Sequence, residues 1–136
     1  MSQNCQYRVS AKALIRGAED TMLFIEENGG GGFELPGGGI ENGETARQAL
    51  ERELKEELNA NLISMNNAPR FVWIINGELV WLIYEVIIDG INNFKPSEHA
   101  ANARFCKPSD LHGLTEHGLG YCTNMNYQDL LTFTAS

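Results

Sequence analysis

The sequence predicts an α/β sandwich in which a mixed β-sheet lies between helices. Three observations predict it: several segments with the alternation and β-branched residues of strands, one strongly periodic helical segment among them, and a second helical spacing near the C-terminus. The chain has 136 residues, of which 43% are hydrophobic, which is enough for one buried core. We therefore expect a single domain over residues 1–136.

The first half of the chain has the pattern of two strands followed by a helix. Residues 7–15 alternate loosely and include β-branched side chains, and residues 21–25 have the composition of a returning strand. Residues 33–35 form a short extended piece that ends at a proline. A capping-box pattern at Thr45 predicts a helix over residues 46–58.

The second half has the pattern of further strands and a closing helix. The Asn-Gly dipeptide at residues 76–77 is a strong hairpin signal between residues 71–75 and residues 78–88. The second of these runs is long and apolar, as a central strand is. Residues 101–106 predict another short strand, and apolar side chains at helical spacing over residues 127–134 predict a short C-terminal helix.

The charge and cysteine content exclude some partners. The formal net charge is −8 and the pI is about 4.8, whereas nucleic-acid and anionic-membrane surfaces recruit clustered Lys and Arg. Cys5, Cys106 and Cys122 are far apart, as in proteins of a reducing cytosol. No apolar run approaches the roughly 20 residues of a membrane span, and the N-terminus carries no secretion signal. We therefore expect a cytoplasmic protein that binds neither nucleic acid nor membrane.

The predicted helix places carboxylates where apolar side chains belong. Projected at about 100° per residue, Glu53 and Glu57 fall inside its apolar arc, and Glu56 sits at the edge. The alternative is a charged surface helix held by pairs such as Glu51 with Lys55. However, burying unpaired carboxylates is costly, and like charges one turn apart repel. A bound divalent cation would relieve both, because hard cations take oxygen ligands.

The spacing of these residues resembles the signature of the Nudix hydrolases, the Nudix box. Gly38, Glu44 and the run Arg-Glu-Leu-x-Glu-Glu at residues 52–57 stand at the separations of that motif, which here spans residues 38–60. Asn59 replaces the usual glycine and also tolerates the left-handed conformation that ends a helix. The resemblance, which is of the MutT-like kind, implies the Nudix α/β/α sandwich with its mixed sheet between helices.

The resemblance also implies a metal site. Glu53, Glu56 and Glu57 match the family's metal-binding carboxylates, one of which often doubles as the catalytic base. The carbonyl of Gly37 or Gly38 would be a further ligand. Residues 35–39 otherwise have the composition of a Pro-Gly turn, whose glycines let the backbone approach a metal or phosphate. The implied cofactor is Mg²⁺, and Mn²⁺ could replace it.

Three further residues receive roles from the resemblance. Arg52 matches an arginine of the catalytic site that orients a glutamate by ion pairing, and Glu44 matches a glutamate that braces the loop onto the helix. Glu98 stands in a loop where several family members carry a glutamate that binds metal or acts as base. Taken alone, a loop glutamate is more often simply solvated.

Basic residues outside the motif are candidates for substrate binding. Arg8, Lys12 and Arg70 could contact phosphates, although single basic residues are more often surface charges. The expected partner is a small nucleoside diphosphate derivative: a nucleoside triphosphate, an oxidised nucleotide, a dinucleoside polyphosphate or a nucleotide sugar. A homodimer is compatible with the resemblance, because many family members are dimers.

Three functions compete. The first is a Mg²⁺-dependent pyrophosphohydrolase, in which metal-activated water cleaves a phosphoanhydride bond. The second is a nucleotide-binding or sensor domain that does not hydrolyse its ligand. The third is a structural acidic domain that binds Ca²⁺ adventitiously, although no EF-hand loop pattern is present. Non-catalytic relatives usually lose box glutamates, and all are retained here, so the sequence favours the enzyme.

Overall fold

The structure, a computed structural model, describes residues 4–26, 32–111 and 124–136. These residues contain seven strands, three α-helices and one 3₁₀ turn at Ile91–Asn93. In chain order the strands and helices are β1 (Arg8–Leu14), β2 (Met22–Glu26), β3 (Gly37–Gly39), α1 (Ala46–Leu58), β4 (Asn61–Met65), β5 (Phe71–Ile75), β6 (Leu79–Asp89), β7 (Asn102–Cys106), α2 (Pro108–Leu111) and α3 (Asn124–Ala135).

A five-stranded mixed sheet forms the centre of the fold. β1 lies between β3, which runs antiparallel to it, and β6, which runs parallel to it. β6 is 11 residues long, and it pairs with β5 along residues 79–83 and with β4 along residues 86–89. β2 and β7 form a separate antiparallel pair. The long apolar run is therefore a central strand, as predicted.

Hydrophobic side chains pack against both faces of the sheet. On one face, Leu50, Leu54 and Leu58 of α1 are fully buried in a cluster with residues of β1 and β6. On the other face, Leu130 and Phe133 of α3 are buried with aromatic and aliphatic residues of β5 and β6. The sheet thus lies between helices, which confirms the predicted α/β sandwich.

Helix α1 begins and ends as the sequence predicts. The Thr45 hydroxyl oxygen accepts a hydrogen bond from the Gln48 N–H at 3.1 Å, and the Gln48 side chain accepts one from the Thr45 N–H at 2.9 Å. Asn59 ends the helix at φ +53°, and its N–H donates to the Lys55 carbonyl. An asparagine therefore provides the left-handed end that the motif usually takes from glycine.

The sequence does not predict two of the strands. β3 consists of three glycines in the segment with turn composition, and glycine has little strand propensity of its own. Its extended conformation is imposed by pairing with β1, more than twenty residues earlier. β4 contains polar residues, and a register shift between Leu62 and Ser64 breaks its alternation.

The structure describes two of the three cysteines. Cys5 and Cys106 are free thiols, and Cys122 lies outside the described residues. In the described ranges, no helix is both long enough and apolar enough to cross a membrane.

Gly37 is the backbone position on which β3 depends. Its φ is +120°, and a Cβ there would collide with the Ala11 carbonyl oxygen and lie 2.8 Å from the Lys12 Cα. Gly39 differs, because a Cβ at that position would meet no atom within 4 Å. The two glycines therefore form a matched pair for substitution.

Gly37→Ala should destabilise the protein by about 2 kcal/mol or more, because it combines a positive φ with a backbone collision. Gly39→Ala should change the free energy of unfolding by less than about 0.5 kcal/mol. Urea unfolding with comparable m-values measures both differences. Equal stabilities of the two variants would contradict the conformation described for Gly37.

Candidate active site

Helix α1 turns three glutamates toward β3. Glu57 is almost fully buried at 4% exposure, the Glu53 side chain is 16% exposed, and the Glu56 side chain is 38% exposed. These exposures follow the helical projection, which puts Glu53 and Glu57 inside the apolar arc and Glu56 at its edge. Carboxylates this deep require hydrogen-bond donors or a cation, because water solvates them poorly.

The peptide of Gly37 joins α1 to β1. Its N–H donates to Glu57 Oε1 at 2.8 Å, and its carbonyl oxygen accepts from Lys12 Nζ at 3.2 Å. Lys12 also donates to the Leu35 carbonyl at 3.3 Å and lies 4.5 Å from the centroid of the Trp81 ring. The two backbone polar groups of Gly37 are therefore each held by a buried ionisable side chain.

Burial raises the pKa of Glu57 to about 9. The hydrogen bond from Gly37 and the charge of Lys12 oppose this rise in pKa, whereas the charges of Glu53 and Glu34 add to it. The Glu57 carboxyl therefore keeps its proton at neutral pH unless another positive charge comes close.

The Glu53 carboxylate packs directly against the backbone of Gly38. A Cβ at Gly38 would lie 2.6 Å from both the carboxyl carbon and Oε1 of Glu53, a separation that real Cβ atoms do not adopt. The absent side chain thus leaves a space that the carboxylate fills directly against the backbone.

The Arg52 side chain makes four hydrogen bonds that connect Gly39 and Glu44, both of which precede α1, to Glu53 of α1. Its guanidinium donates to both carboxylate oxygens of Glu44, to the Gly39 carbonyl and to Glu53 Oε1, each at 2.9 Å. Glu56 Oε2 lies 3.8 Å from the same guanidinium. The hydrogen bond from Arg52 lowers the pKa of Glu44 to about 2, so Glu44 stays ionised. The guanidinium therefore fixes the orientation of Glu53.

The donors gathered here suit a hard divalent cation. Glu53, Glu56 and Glu57 offer carboxylate oxygens, and Gly37 or Gly38 would add a backbone carbonyl oxygen. Across the described ranges, no three His, Cys, Asp or Glu side chains form a ready-made metal cage. Mg²⁺ commonly binds without one, through one or two carboxylates, substrate phosphates and water. The donor chemistry thus fits Mg²⁺ or Mn²⁺.

A cleft of about 820 Å³ opens beside Glu53. Residues 7–10, at the start of β1, form one wall, and residues 39–43 form the other. We call it the β1 cleft. Small-molecule sites commonly enclose about 300–1,000 Å³, so a nucleotide-sized ligand fits here. Because Glu53 lines the cleft, such a ligand would lie against the glutamates of α1.

Matches to known proteins agree with this geometry. The family model described as the NUDIX domain matches residues 6–121. The chain belongs to the Nudix family. An RNA pyrophosphohydrolase of Histophilus somni (strain 2336) is 34% identical to this Nudix chain over 80 residues. That match covers 59% of the present chain and 38% of the relative, so it spans well under half of the relative's length.

Solved structures of Nudix proteins share the fold. An ADP-ribose pyrophosphatase from Streptococcus suis superposes with a TM-score of 0.68 at 22% identity, over 95% of this chain and 92% of that one. A MutT Nudix hydrolase from Burkholderia pseudomallei superposes with a TM-score of 0.65 at 24% identity, over 93% and 97%. At these identities the likeness extends to the architecture alone.

Two of the predicted phosphate contacts have other partners in this Nudix domain. Lys12 is 4% exposed and donates to the carbonyls of Leu35 and Gly37, so in this structure it supports the backbone before α1. Arg70 pairs with Glu85 at 3.5 Å and donates to Ser136 Oγ at 3.2 Å, beyond the end of α3. In both cases nearby acceptors within the fold engage the cation, and a phosphate contact by either residue stays a prediction.

The other two candidates outside the motif differ from each other. Arg8 lines the β1 cleft, where a bound phosphate could reach it. The Glu98 side chain is 88% exposed, and its ion-pair partner is His99 at 3.6 Å. As far as the described chain shows, no hydrogen bond or ion pair joins Glu98 to α1. The structure therefore does not bring Glu98 into the glutamate cluster, and its catalytic role stays a prediction.

The supporting role of Lys12 is the feature that sequence reasoning misses. A signal for it exists, because Ala11, Ala13 and Leu14 around it are the fully buried part of β1. A lysine inside such a run requires acceptors close by. Those acceptors belong to residues 35–37, and residue patterns alone do not place them next to β1.

In metal-depleted protein, Glu57→Gln should flatten the pH dependence of thermal stability. The folded pKa of about 9 exceeds the ordinary value of 4.5, so the contribution of Glu57 is complete below 4.5 and is lost as pH rises toward 9. Glutamine is neutral and still offers an oxygen to the Gly37 N–H. A pKa difference of this size corresponds to several kcal/mol between about pH 5 and about pH 9, so the parent should lose on the order of 10 °C more of its melting temperature than the variant over that range. Glu56→Gln is the control, and parallel curves for parent and Glu57→Gln would contradict the assignment.

Arg52→Lys should raise the pKa of Glu44 from about 2 toward its ordinary value of 4.5. A lysine cannot reproduce the planar fork that binds both Glu44 oxygens while also reaching Gly39 and Glu53. A carboxyl-carbon NMR titration measures the change. Arg47→Lys, which alters an exposed arginine of the same helix, should leave the Glu44 titration unaltered. A Glu44 pKa that stays low in Arg52→Lys would show that another group holds it.

Proposed function

We propose that this Nudix domain is a divalent-metal-dependent pyrophosphohydrolase. Its substrate is a nucleoside diphosphate linked to another group, and the bond it cleaves is a phosphoanhydride. The observation that carries the proposal is the placement of two α1 glutamates against β3, where Glu53 packs on Gly38 and lines a nucleotide-sized cleft and Glu57 accepts from the Gly37 N–H. Glu56 lies on the same helix, 3.8 Å from the Arg52 guanidinium that also binds Glu53. This set combines oxygen ligands for a cation with room for the substrate.

A cation is required on electrostatic grounds. The chain carries a net charge of −8, and the glutamates of α1 would repel a polyphosphate. Glu53, Glu56, Glu57 and the carbonyl of Gly37 or Gly38 are the groups that would hold Mg²⁺ or Mn²⁺. When bound, such a cation neutralises phosphate oxygens and lowers the pKa of an attacking water.

The side chains of the site orient the candidate metal ligands and set the pKa of Glu57. Arg52 fixes the Glu53 carboxylate, and Lys12 fixes the Gly37 carbonyl, so two donors have set orientations before a ligand arrives. Gly38, which has no side chain, lets the Glu53 carboxylate pack directly against the backbone. Burial raises the pKa of Glu57 to about 9, so Glu57 releases a proton when positive charge enters the site. Glu98 stays a candidate ligand or base that awaits its own substitution.

The relatives indicate which substrates to test. One match is an RNA pyrophosphohydrolase, and one solved structure is an ADP-ribose pyrophosphatase. The acidic surface charge favours small nucleotides over nucleic acid. We also propose that the protein acts in the cytoplasm, which the free thiols Cys5 and Cys106 support. A homodimer remains a prediction of the resemblance.

The second candidate is a nucleotide-binding or sensor domain that does not hydrolyse its ligand. It would need the cleft and a bound cation but not the full glutamate set. Glu53, Glu56 and Glu57 are all retained on α1, which supports hydrolysis over binding alone. The same experiment separates the two functions, because a sensor binds nucleotide without releasing phosphate.

The purified protein should cleave at least one member of a panel of nucleoside triphosphates, dinucleoside polyphosphates, nucleotide sugars and phosphorylated RNA. Released phosphate or pyrophosphate is measured with Mg²⁺, with Mn²⁺ and with EDTA. Glu53→Gln and Glu57→Gln should each lower kcat by roughly 100-fold or more, because each removes a charged oxygen ligand. Glu51→Gln, on the exposed side of α1, is the matched control.

Two results would contradict the proposed hydrolase. Metal-dependent binding of a nucleotide without cleavage would transfer the proposal to a sensor. Full turnover in both Glu53→Gln and Glu57→Gln would show that these glutamates do not hold the reactive cation.

A further inference from the structure

The β1 cleft contains an arginine without a protein partner. Arg8 lines the cleft, and within the described part of the chain its guanidinium makes no hydrogen bond, ion pair or aromatic contact. The other five arginines of the sequence are engaged. Four of them pair with glutamates and one lies over a ring: Arg16, Arg47, Arg52 and Arg70 with carboxylates, and Arg104 over Phe33.

This lack of a partner contrasts with the charge of the chain. Acidic residues number 18 against 10 basic ones, so an arginine has many available carboxylates. Glu41 and Glu53 even line the same cleft as Arg8, but neither is its ion-pair partner. The donors of the Arg8 guanidinium therefore stay available for an anion that enters the cleft.

The cleft leads from the proposed reaction site to Arg8. Glu53 lines it and belongs to the glutamates that would hold the cation. Gly39 forms part of the wall, and no atom lies within 4 Å of the position that its Cβ would occupy. A substrate with its scissile anhydride at Glu53 can therefore extend past Gly39 toward Arg8.

We propose that the β1 cleft binds a further phosphate of the substrate, beyond the diphosphate at the glutamates, and that Arg8 contacts it. This inference rests on the proposed pyrophosphohydrolase function and narrows the substrate class to nucleotides with a triphosphate or longer chain. The planar guanidinium matches two phosphate oxygens at once, and the Ser10 hydroxyl on the same wall is a further donor. A sugar-linked diphosphate would instead place a neutral ring beside Arg8 and leave its charge unmatched.

The test compares a nucleoside triphosphate with a nucleoside diphosphate sugar of the same base. Arg8→Gln should lower kcat/KM for the triphosphate by roughly 10-fold or more, mainly through KM, because a charge-assisted contact is lost. The loss for the diphosphate sugar should be less than about 2-fold. Arg8→Lys should recover part of the loss. Lys107→Gln, which removes one exposed positive charge elsewhere, controls for the change in net charge.

Gly39→Ala gives an independent readout, because its methyl group would enter the cleft without meeting a protein atom. It should raise KM for the triphosphate more than for the diphosphate sugar.

Equal losses of kcat/KM on both substrates, or no loss of kcat/KM in Arg8→Gln, would overturn the inference. A larger loss on the diphosphate sugar would also overturn it, because the sugar would then occupy the cleft. If the parent cleaves neither substrate, the proposed function fails, and calorimetric binding of both ligands to parent and Arg8→Gln still decides the cleft assignment.

Discussion

The backbone of Gly37 is the contact on which the rest of the site depends, because its N–H donates to Glu57 and its carbonyl accepts from Lys12. It fixes the three glycines of β3 against β1 on one side and against α1 on the other. A shift of one residue would separate Gly38 from Glu53 and would move the backbone out of reach of the α1 side chains. Only glycine permits this arrangement, because the peptide turns at positive φ directly against the β1 backbone.

The same contact explains why the site favours a cation. Arg52 compensates the charges of Glu44 and Glu53 with short hydrogen bonds. Glu57 accepts an N–H and lies near Lys12, yet burial still dominates and raises its pKa to about 9. A proton or a metal ion must therefore accompany this carboxyl group at neutral pH. The stability of the protein and the proposed cation site are therefore linked through the Glu57 side chain.

Local signals explain which parts of the fold the sequence predicts. The capping box at Thr45 and the helical period of its carboxylates define α1 to the residue, and the Asn-Gly turn at residues 76–77 defines the β5–β6 hairpin. β3 has no such signal, because its extended form comes from pairing with β1. The roles of Lys12 and Arg70 also depend on acceptors far along the chain, so their positions in sequence do not reveal them.

The residues proposed to act on the scissile bond and the residue proposed to determine substrate preference occupy different parts of this fold. The glutamates of α1 interlock with Arg52 and with the glycine backbone, so a change in any of them disturbs the others. Arg8 stands at the exposed start of β1, and its side chain holds no group in place within the described part of the chain. Its replacement would alter a cleft wall without loosening the Gly37 contact. A motif can therefore identify the chemistry of a Nudix domain while leaving its substrate to positions that the motif does not include.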